Sequence, residues 1–416
     1  MKIKTVVGKQ IKDSKGDPTL EVQVMLENGV LAFGGVPSGA STGKHEAVEL
    51  PADKAVINVN TRIADLLTGR VVSEQKEIDD LMIKLDGSEN KSNLGANAIV
   101  GTSMAVARAA ALSLKIPLYR YIGQLANNND FYLPQPMVLA FEGGKHGDWV
   151  TDIQEYLVIP KKSAFDNFEQ MYEAGKKVFL KLQDILKERD YDTGLGFEGA
   201  FCPRQLKSNE EVFRLLEEAV KGAGFLLNKQ FVLGIDAAAE EFFKNGNYVL
   251  KSEDSRILSS KQWIEKIISW LNKYAIWSLE DVFGEEEWQS WSEIMSKVGN
   301  RTQVVGDDLL TTNVERIKKA IQLKAVNAVL IKVNQIGTVT ETLEAVKITK
   351  QAGWESIVSH RGGETMDDFI ADLCVGAGCG QCKFGGPTKS ERKVKYDRLL
   401  EIERELNNET NKKRSI

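Results

Sequence analysis

The feature that most restricts what this chain can fold into lies between residues 231 and 362, where an apolar, β-branched run ends five times at an ionisable residue. The runs are FVLGID ending at Asp236, AIWSLED at Glu280 and Asp281, TQVVGDD at Asp307 and Asp308, AVLIK at Lys332, and SIVSH at His360. Unbroken apolar runs of this length predict strands buried on both faces, because a strand with one wet face alternates instead. Between them lie helical spacings such as Trp263, Ile264, Ile267, Ile268 and Leu271. The steps from Asp236 to Glu280, Asp307, Lys332 and His360 are 44, 27, 25 and 28 residues, each enough for a strand, a crossover helix and two loops. Parallel strands joined in this way close into a barrel whose chemistry sits at the carboxyl ends of the strands. The ionisable residues are therefore expected to converge on one mouth.

Three carboxylates, a lysine and a histidine brought together make a specific set. Asp236, Glu280 and Asp307 offer hard oxygen ligands suited to Mg²⁺, which keeps waters and takes further ligands from a substrate. A lysine beside a divalent cation and other cationic groups has its ammonium form disfavoured, which makes Lys332 a candidate base. The chemistry expected is proton removal next to a carboxylate, with the metal holding the enediolate. Singly, Glu280-Asp281 and Asp307-Asp308 would also suit solvated loops or helix caps, and Lys332 a structural ion pair. Their recurrence at successive strand ends favours the functional reading.

The rest of the chain is consistent with a barrel plus a smaller domain. Its 416 residues, 42% hydrophobic and 27% charged, are ordinary for a globular protein, and a net charge of -5 without a long basic block argues against a nucleic-acid surface. No apolar run approaches the length of a membrane span, and MKIKTVVGKQIKDSKG has no signal-peptide core, so no membrane association and a cytoplasmic location are expected. Four cysteines do not suggest a disulfide framework. Cys379 and Cys382 form a C-x-x-C near Cys374, open to a metal or redox reading, but small buried residues in a Gly-rich turn is the reading preferred.

Residues 1–125 read as an α+β domain. Strands at 3–7 and 20–26 flank the turn Asp13-Ser14-Lys15-Gly16-Asp17-Pro18, and helices follow at 53–67, 75–85 and 95–115. Between them, residues 34–46 are rich in Gly and hydroxyls. Ser38 stands where a nucleotide loop needs its first Gly, and His45 where it needs Ser or Thr, so nucleotide binding is rejected in favour of a mobile lid. Residues 135–416 read as the barrel, with first strands at 137–141 and 156–159 and a helix at 164–188. Capping boxes are expected at Ser208 with Glu211 and at Thr312 with Glu315.

At this point DSKGDPTLEV, VPSGASTGKHEA, LDGSENKSNLGANAIVG, GGKHGDWVTDIQEY, LGIDAAAEEF, SLEDVF, VVGDDLLTTN, KVNQIGTVTET, SHRGGETMDDFIADL and KSERKVKYDRLLEIE stand in an order that resembles the enolases, the phosphopyruvate hydratases of glycolysis, along nearly the whole chain. The resemblance implies a (β/α)8-type barrel capped by an N-terminal α+β domain, and a homodimer or higher homo-oligomer. It assigns Mg²⁺ to Asp236, Glu280 and Asp307, with Ser41 completing a second Mg²⁺ that arrives with a small phosphorylated carboxylate substrate. Lys332 becomes the base, and Glu198, assisted by Glu155, the acid that helps the hydroxyl leave. Lys383 balances the substrate carboxylate, Arg361 grips the phosphate, His360 and His146 close over the ligand, and Gln154 joins the substrate-binding residues. His45 receives no role.

Several residues depart from the family pattern. Phe197 replaces a carboxylate before Glu198, which is expected to favour protonated Glu198 by desolvation and to remove an orienting partner. Glu142 stands where the family has Asn, Lys145 where it has Ser, and Gly362 where it has a Ser that contacts phosphate. Loss of one hydrogen bond to a charged group costs on the order of 1.5 to 3 kcal/mol. The sequence therefore admits three readings: an enolase dehydrating 2-phosphoglycerate, a paralogue acting on another phosphorylated or phosphonylated carboxylate, or a non-catalytic binding protein on the same fold.

Overall fold

The structure, a computed structural model, describes residues 1–39 and 43–414, of which 410–414 by their backbone alone. The chain opens with an antiparallel meander, β1 (Ile3–Lys12), β2 (Pro18–Leu26) and β3 (Leu31–Gly35). Alternation along β2 turns Leu20, Val22, Val24 and Leu26 inward, where they pack on the helix Ala96–Leu114. By length and composition that helix could cross a membrane, in contrast to what the sequence was expected to contain. Its apolar residues up to Ala111 are instead almost all buried in the core, where a helix wrapped by sheet and neighbouring helices is apolar all round, and only Leu112 and Leu114 of the last turn are exposed.

The second sheet has nine strands and nearly closes on itself. Its order begins with Gln135–Pro136 and ends with Val138–Glu142, two strands separated in the chain only by Met137. Each of the five apolar runs is a strand: Phe231–Asp236, Ile276–Glu280, Gln303–Gly306, Ala328–Ile331 and Glu355–Ser359, all parallel, followed by Gln381–Lys383. The strand Glu155–Pro160 departs from the all-parallel expectation and runs antiparallel to both neighbours. Its link to Val138–Glu142 holds only the short turn Gly144–Gly147 and no crossover helix. Return to the parallel direction then takes two helices, Phe168–Glu188 and Asn209–Gly222.

Two local expectations are corrected. The helix expected from 164 begins at Phe168, where the Asn167 side chain accepts from the Gln170 N–H. The cap after the Asp307 strand is Asn313, which accepts from the N–H groups of Glu315 and Arg316, and not Thr312. Thr312 is in the left-handed region with its hydroxyl turned inward, accepting from the Lys332 N–H at 2.9 Å and meeting Gln335 Oε1 at 3.0 Å. Ser208 does cap its helix through the Glu211 N–H. Cys374, Cys379 and Cys382 are buried and free, and burial pushes the Cys374 and Cys382 thiols up. Among the described residues, no metal-spaced cluster contains a cysteine, which favours the packing reading.

One buried carboxyl between the two parts of the chain makes stability depend on pH. Asp79 accepts from the Thr340 hydroxyl at 2.6 Å, the Thr340 N–H at 3.0 Å and the Gln75 amide, yet burial outweighs these bonds and pushes it up to about 6. Because the folded state holds this proton more tightly than the unfolded chain, its contribution is fully present below about pH 4 and is lost as pH rises through 6. A shift of this size corresponds to about 3 kcal/mol. Between pH 4 and 7 the denaturant midpoint of Asp79→Asn should rise relative to the parent, because the amide has no charge to bury.

Candidate active site

Strand register gathers the ionisable groups. Glu142 pairs with Glu155, Glu155 with Asp236, and Asp236 with Glu280, so four carboxylates stand side by side across four neighbouring strands. Glu155 reaches this mouth from the start of its strand because that strand is reversed. Asp307, Lys332, His360 and Lys383 follow or end the remaining strands. Every strand of the sheet except Gln135–Pro136 thus brings one ionisable group to the same end.

The predicted site residues fall into one buried cleft. It is lined by Asp236, Asp307, Lys332 and Lys383, by His146, Gln154, Glu155 and Glu198, and by His360 and Arg361. Glu280 does not line it but is fully buried against Lys383, which does. Ser41 lies outside the described residues. Asp281 and Asp308, read in the sequence only as neighbours of ligands, also line the cleft. Asp281 holds the Asp307 turn, accepting from the N–H groups of Asp307 at 2.9 Å and Asp308 at 2.7 Å.

Oxygens of Asp236, Glu280 and Asp307 lie within 4.8 Å of one another. Burial, then the charge of Asp236, pushes Glu280 well above the usual carboxylate range, and its Oε2 is buried without a hydrogen-bond partner. Crowded buried carboxylates with a bare oxygen are the donor set a small divalent cation stabilises, so these residues fit Mg²⁺. The Lys383 ammonium partly balances them, bonding Glu280 at 2.7 Å, Asp236 at 3.2 Å and Glu155 at 3.0 Å.

Lys332 is held by an ion pair. Its Nζ is paired with Asp307 Oδ2. Burial lowers its pKa, but Asp307 outweighs burial and the nearby Arg361 and Lys383 cations, so the ammonium is held above its usual range. The disfavoured ammonium expected from sequence therefore requires the Asp307 charge to be offset.

Glu198 sits between two histidines, with His146 Nδ1 at 3.5 Å and His360 Nε2 at 3.8 Å from its Oε2. Phe197 does not desolvate it as the sequence suggested, since the residue is 46% exposed. Burial alone would raise Glu198, but His146, His360 and Arg392 hold it well below the usual range. His146 is raised by the same carboxylate against the effect of burial. Arg392, which the sequence reading missed, is fully buried on the last helix. It meets His360 Nδ1 at 2.6 Å and donates to the carbonyls of Arg361 at 2.5 Å and Gly362 at 2.7 Å. A guanidinium only donates, so Nδ1 is the acceptor and the His360 proton sits on Nε2, facing Glu198. Burial and Arg392 push His360 well below its ordinary range, which keeps the ring neutral.

Arg361 is a second place where sequence was silent about the partner. Glu46 accepts from both Nη atoms of Arg361, at 3.0 and 3.2 Å, and Asn334 Oδ1 accepts from Nη1 at 3.0 Å. The segment carrying Glu46 is further pinned at its rim by His45 with Glu286 at 2.8 Å and by Lys44 with Glu240. Lys145 is turned outward to Glu241 at 3.2 Å and does not line the cleft, whereas Gly362 does. Ser38 and Gly363 exchange backbone bonds of 2.7 and 2.9 Å, and a Cβ on Gly363 would lie 2.1 Å from Asp13 Oδ2 and 2.2 Å from Ser38 Oγ. Gly363→Ala should cost about 1 to 3 kcal/mol in denaturant unfolding by forcing these groups apart.

The sequence matches two family models in chain order: the enolase N-terminal domain over residues 3–122 and the enolase C-terminal TIM barrel domain over residues 130–414. Together they span nearly the whole chain, in agreement with the barrel, its capping domain and the carboxylate mouth described above. Enolases are Mg²⁺-using lyases of small phosphorylated carboxylates. This chain belongs to the enolase family.

Proposed function

We propose that this protein dehydrates 2-phosphoglycerate to phosphoenolpyruvate. The observation that carries the reading is that Lys332 and Glu198 both line one buried cleft, beside carboxylates of a three-membered metal set. Lys332 takes the α-proton at Nζ, and Glu198, supplied with a proton by His146 3.5 Å away, donates it to the departing hydroxyl. Neutral His360, held in one tautomer by Arg392, orients Glu198. Lys383 and Arg361 bind the substrate's carboxylate and phosphate, and the phosphate takes the place of the Glu46 carboxylate on the guanidinium. Mg²⁺ held by Asp236, Glu280 and Asp307 would offset the charge that otherwise keeps the Lys332 proton in place and would supply positive charge where the substrate gains negative charge. Burial of the cleft strengthens each of these interactions.

Family membership further supports a cytoplasmic, glycolytic role and a homodimer, the last of which sedimentation would check. Gly362, which lines the cleft without a hydroxyl, favours the second reading, a paralogue acting on another phosphorylated or phosphonylated carboxylate.

Nuclear magnetic resonance in D₂O with Mg²⁺ and 2-phosphoglycerate separates these readings. Loss of the α-proton signal together with growth of vinylic signals is expected. Exchange without elimination would leave enolisation as the chemistry and move the search to other substrates. Absence of both from folded, Mg²⁺-binding protein would refute dehydration.

A further inference from the structure

Glu142 is the one strand-end carboxylate without a role above. It ends Val138–Glu142, is 1% exposed, and stands beside Glu155 in the register of the mouth. Its Oε1 accepts from the N–H groups of Glu198 at 2.9 Å and Ala200 at 2.8 Å, so it grips the acid's loop on both sides of Gly199. Its Oε2 is buried without a hydrogen-bond partner, packed so closely on Gly196 that a Cβ there would lie 2.3 Å away. A neutral amide could also accept from the two N–H groups, so gripping the loop does not require a carboxylate. A buried carboxylate oxygen left bare costs stability and calls for a reason.

We propose that Glu142 is a positioning residue for Glu198, holding its loop by two amide bonds and acting as the second carboxyl that governs proton sharing between Glu198 and His146. This rests on the reading of Glu198 as the acid. It also accounts for Phe197: the carboxylate missing at 197, where the side chain faces solvent, is replaced by one that reaches the same loop from the neighbouring strand. The charged or titratable groups facing Glu142 are Glu198 and Cys202 on and after that loop, His146 on the 144–147 turn, Arg392 on the last helix, and Glu155 across the sheet. Burial and then the charge of Glu198 push Glu142 up to about 7, so its protonation changes in the range where the enzyme would work.

Glu142→Gln tests the idea, since it keeps an acceptor for both amides and removes the charge. The chain has three histidines, so ¹⁵N-histidine spectra of the Mg²⁺-loaded protein can follow His146 directly. Loss of a neighbouring negative charge should lower the His146 midpoint by about one unit, with the amides of Glu198 and Ala200 still protected from hydrogen exchange. The alkaline limb of kcat for 2-phosphoglycerate should move down with it while KM stays constant. An unmoved His146 midpoint, or rapid exchange of those two amides in the parent protein, would overturn the proposal whether or not the protein turns over. A shifted His146 in a protein that never dehydrates 2-phosphoglycerate would instead uphold the coupling and refute the proposed reaction. Glu142→Ala, lacking the acceptor, should accelerate exchange of the two amides at least tenfold, and unchanged exchange would count against the grip.

Discussion

Lys332→Ala is expected to lower turnover of 2-phosphoglycerate by roughly 10²- to 10⁴-fold, the usual worth of a positioned general base. Lys332 stands just beyond the strand Ala328–Ile331, its N–H fixed by the Thr312 hydroxyl and its Nζ directed at Asp307 over the cleft. The substitution leaves Asp307 with the Gln335 amide at 2.9 Å, so the fold should survive. Lys332→Arg is the informative companion. It can retain an ion pair with Asp307, but a guanidinium does not give up its proton. Steady-state rates for both variants separate the roles, because a purely structural ammonium predicts that Arg restores activity, and a base predicts that it does not.

Glu280→Gln should move two measurements in opposite directions. Burial and the charge of Asp236 raise Glu280 well above the usual range, so the metal-free protein bears the strain of that charge despite the Lys383 bond at 2.7 Å. Replacement by the neutral isostere relieves it, and melting without divalent cation should occur at an equal or higher temperature. Mg²⁺ affinity should fall by roughly 100-fold or more, since loss of a direct ligand exceeds the 10- to 100-fold typical of groups that only orient ligands. Because a ligand that binds only the folded state raises stability by mass action, melting with and without Mg²⁺ reads both effects together. Unchanged stabilisation by Mg²⁺ in the variant would remove Glu280 from the metal set.

The comparison of sequence with structure shows where pattern carries information. Asp236, Glu280, Asp307, Lys332 and His360 could be read because a strand buried on both faces is apolar until it ends, and its first ionisable residue marks the mouth. Glu142 closes the same kind of run but opens into Glu-Gly-Gly, which reads as turn chemistry. Glu155 comes at the start of its strand, and nothing in its run shows that the strand is reversed; the short link without a crossover helix decides that. Arg392 sits on an amphipathic helix whose periodicity hides a guanidinium that fixes the His360 tautomer. Glu46 contacts Arg361 from 315 positions away, and such long-range pairs leave no local trace. The effect of Phe197 was misjudged because a loop side chain beside a buried acid can point either way, and this one points to solvent.

The most direct test of the account is the enol absorbance formed from 2-phosphoglycerate by the purified protein, with Mg²⁺ and again with chelator. The account predicts steady product formation that stops when the metal is withdrawn and resumes when it is restored. Folded protein that binds Mg²⁺ and forms no enol product from this substrate would contradict it.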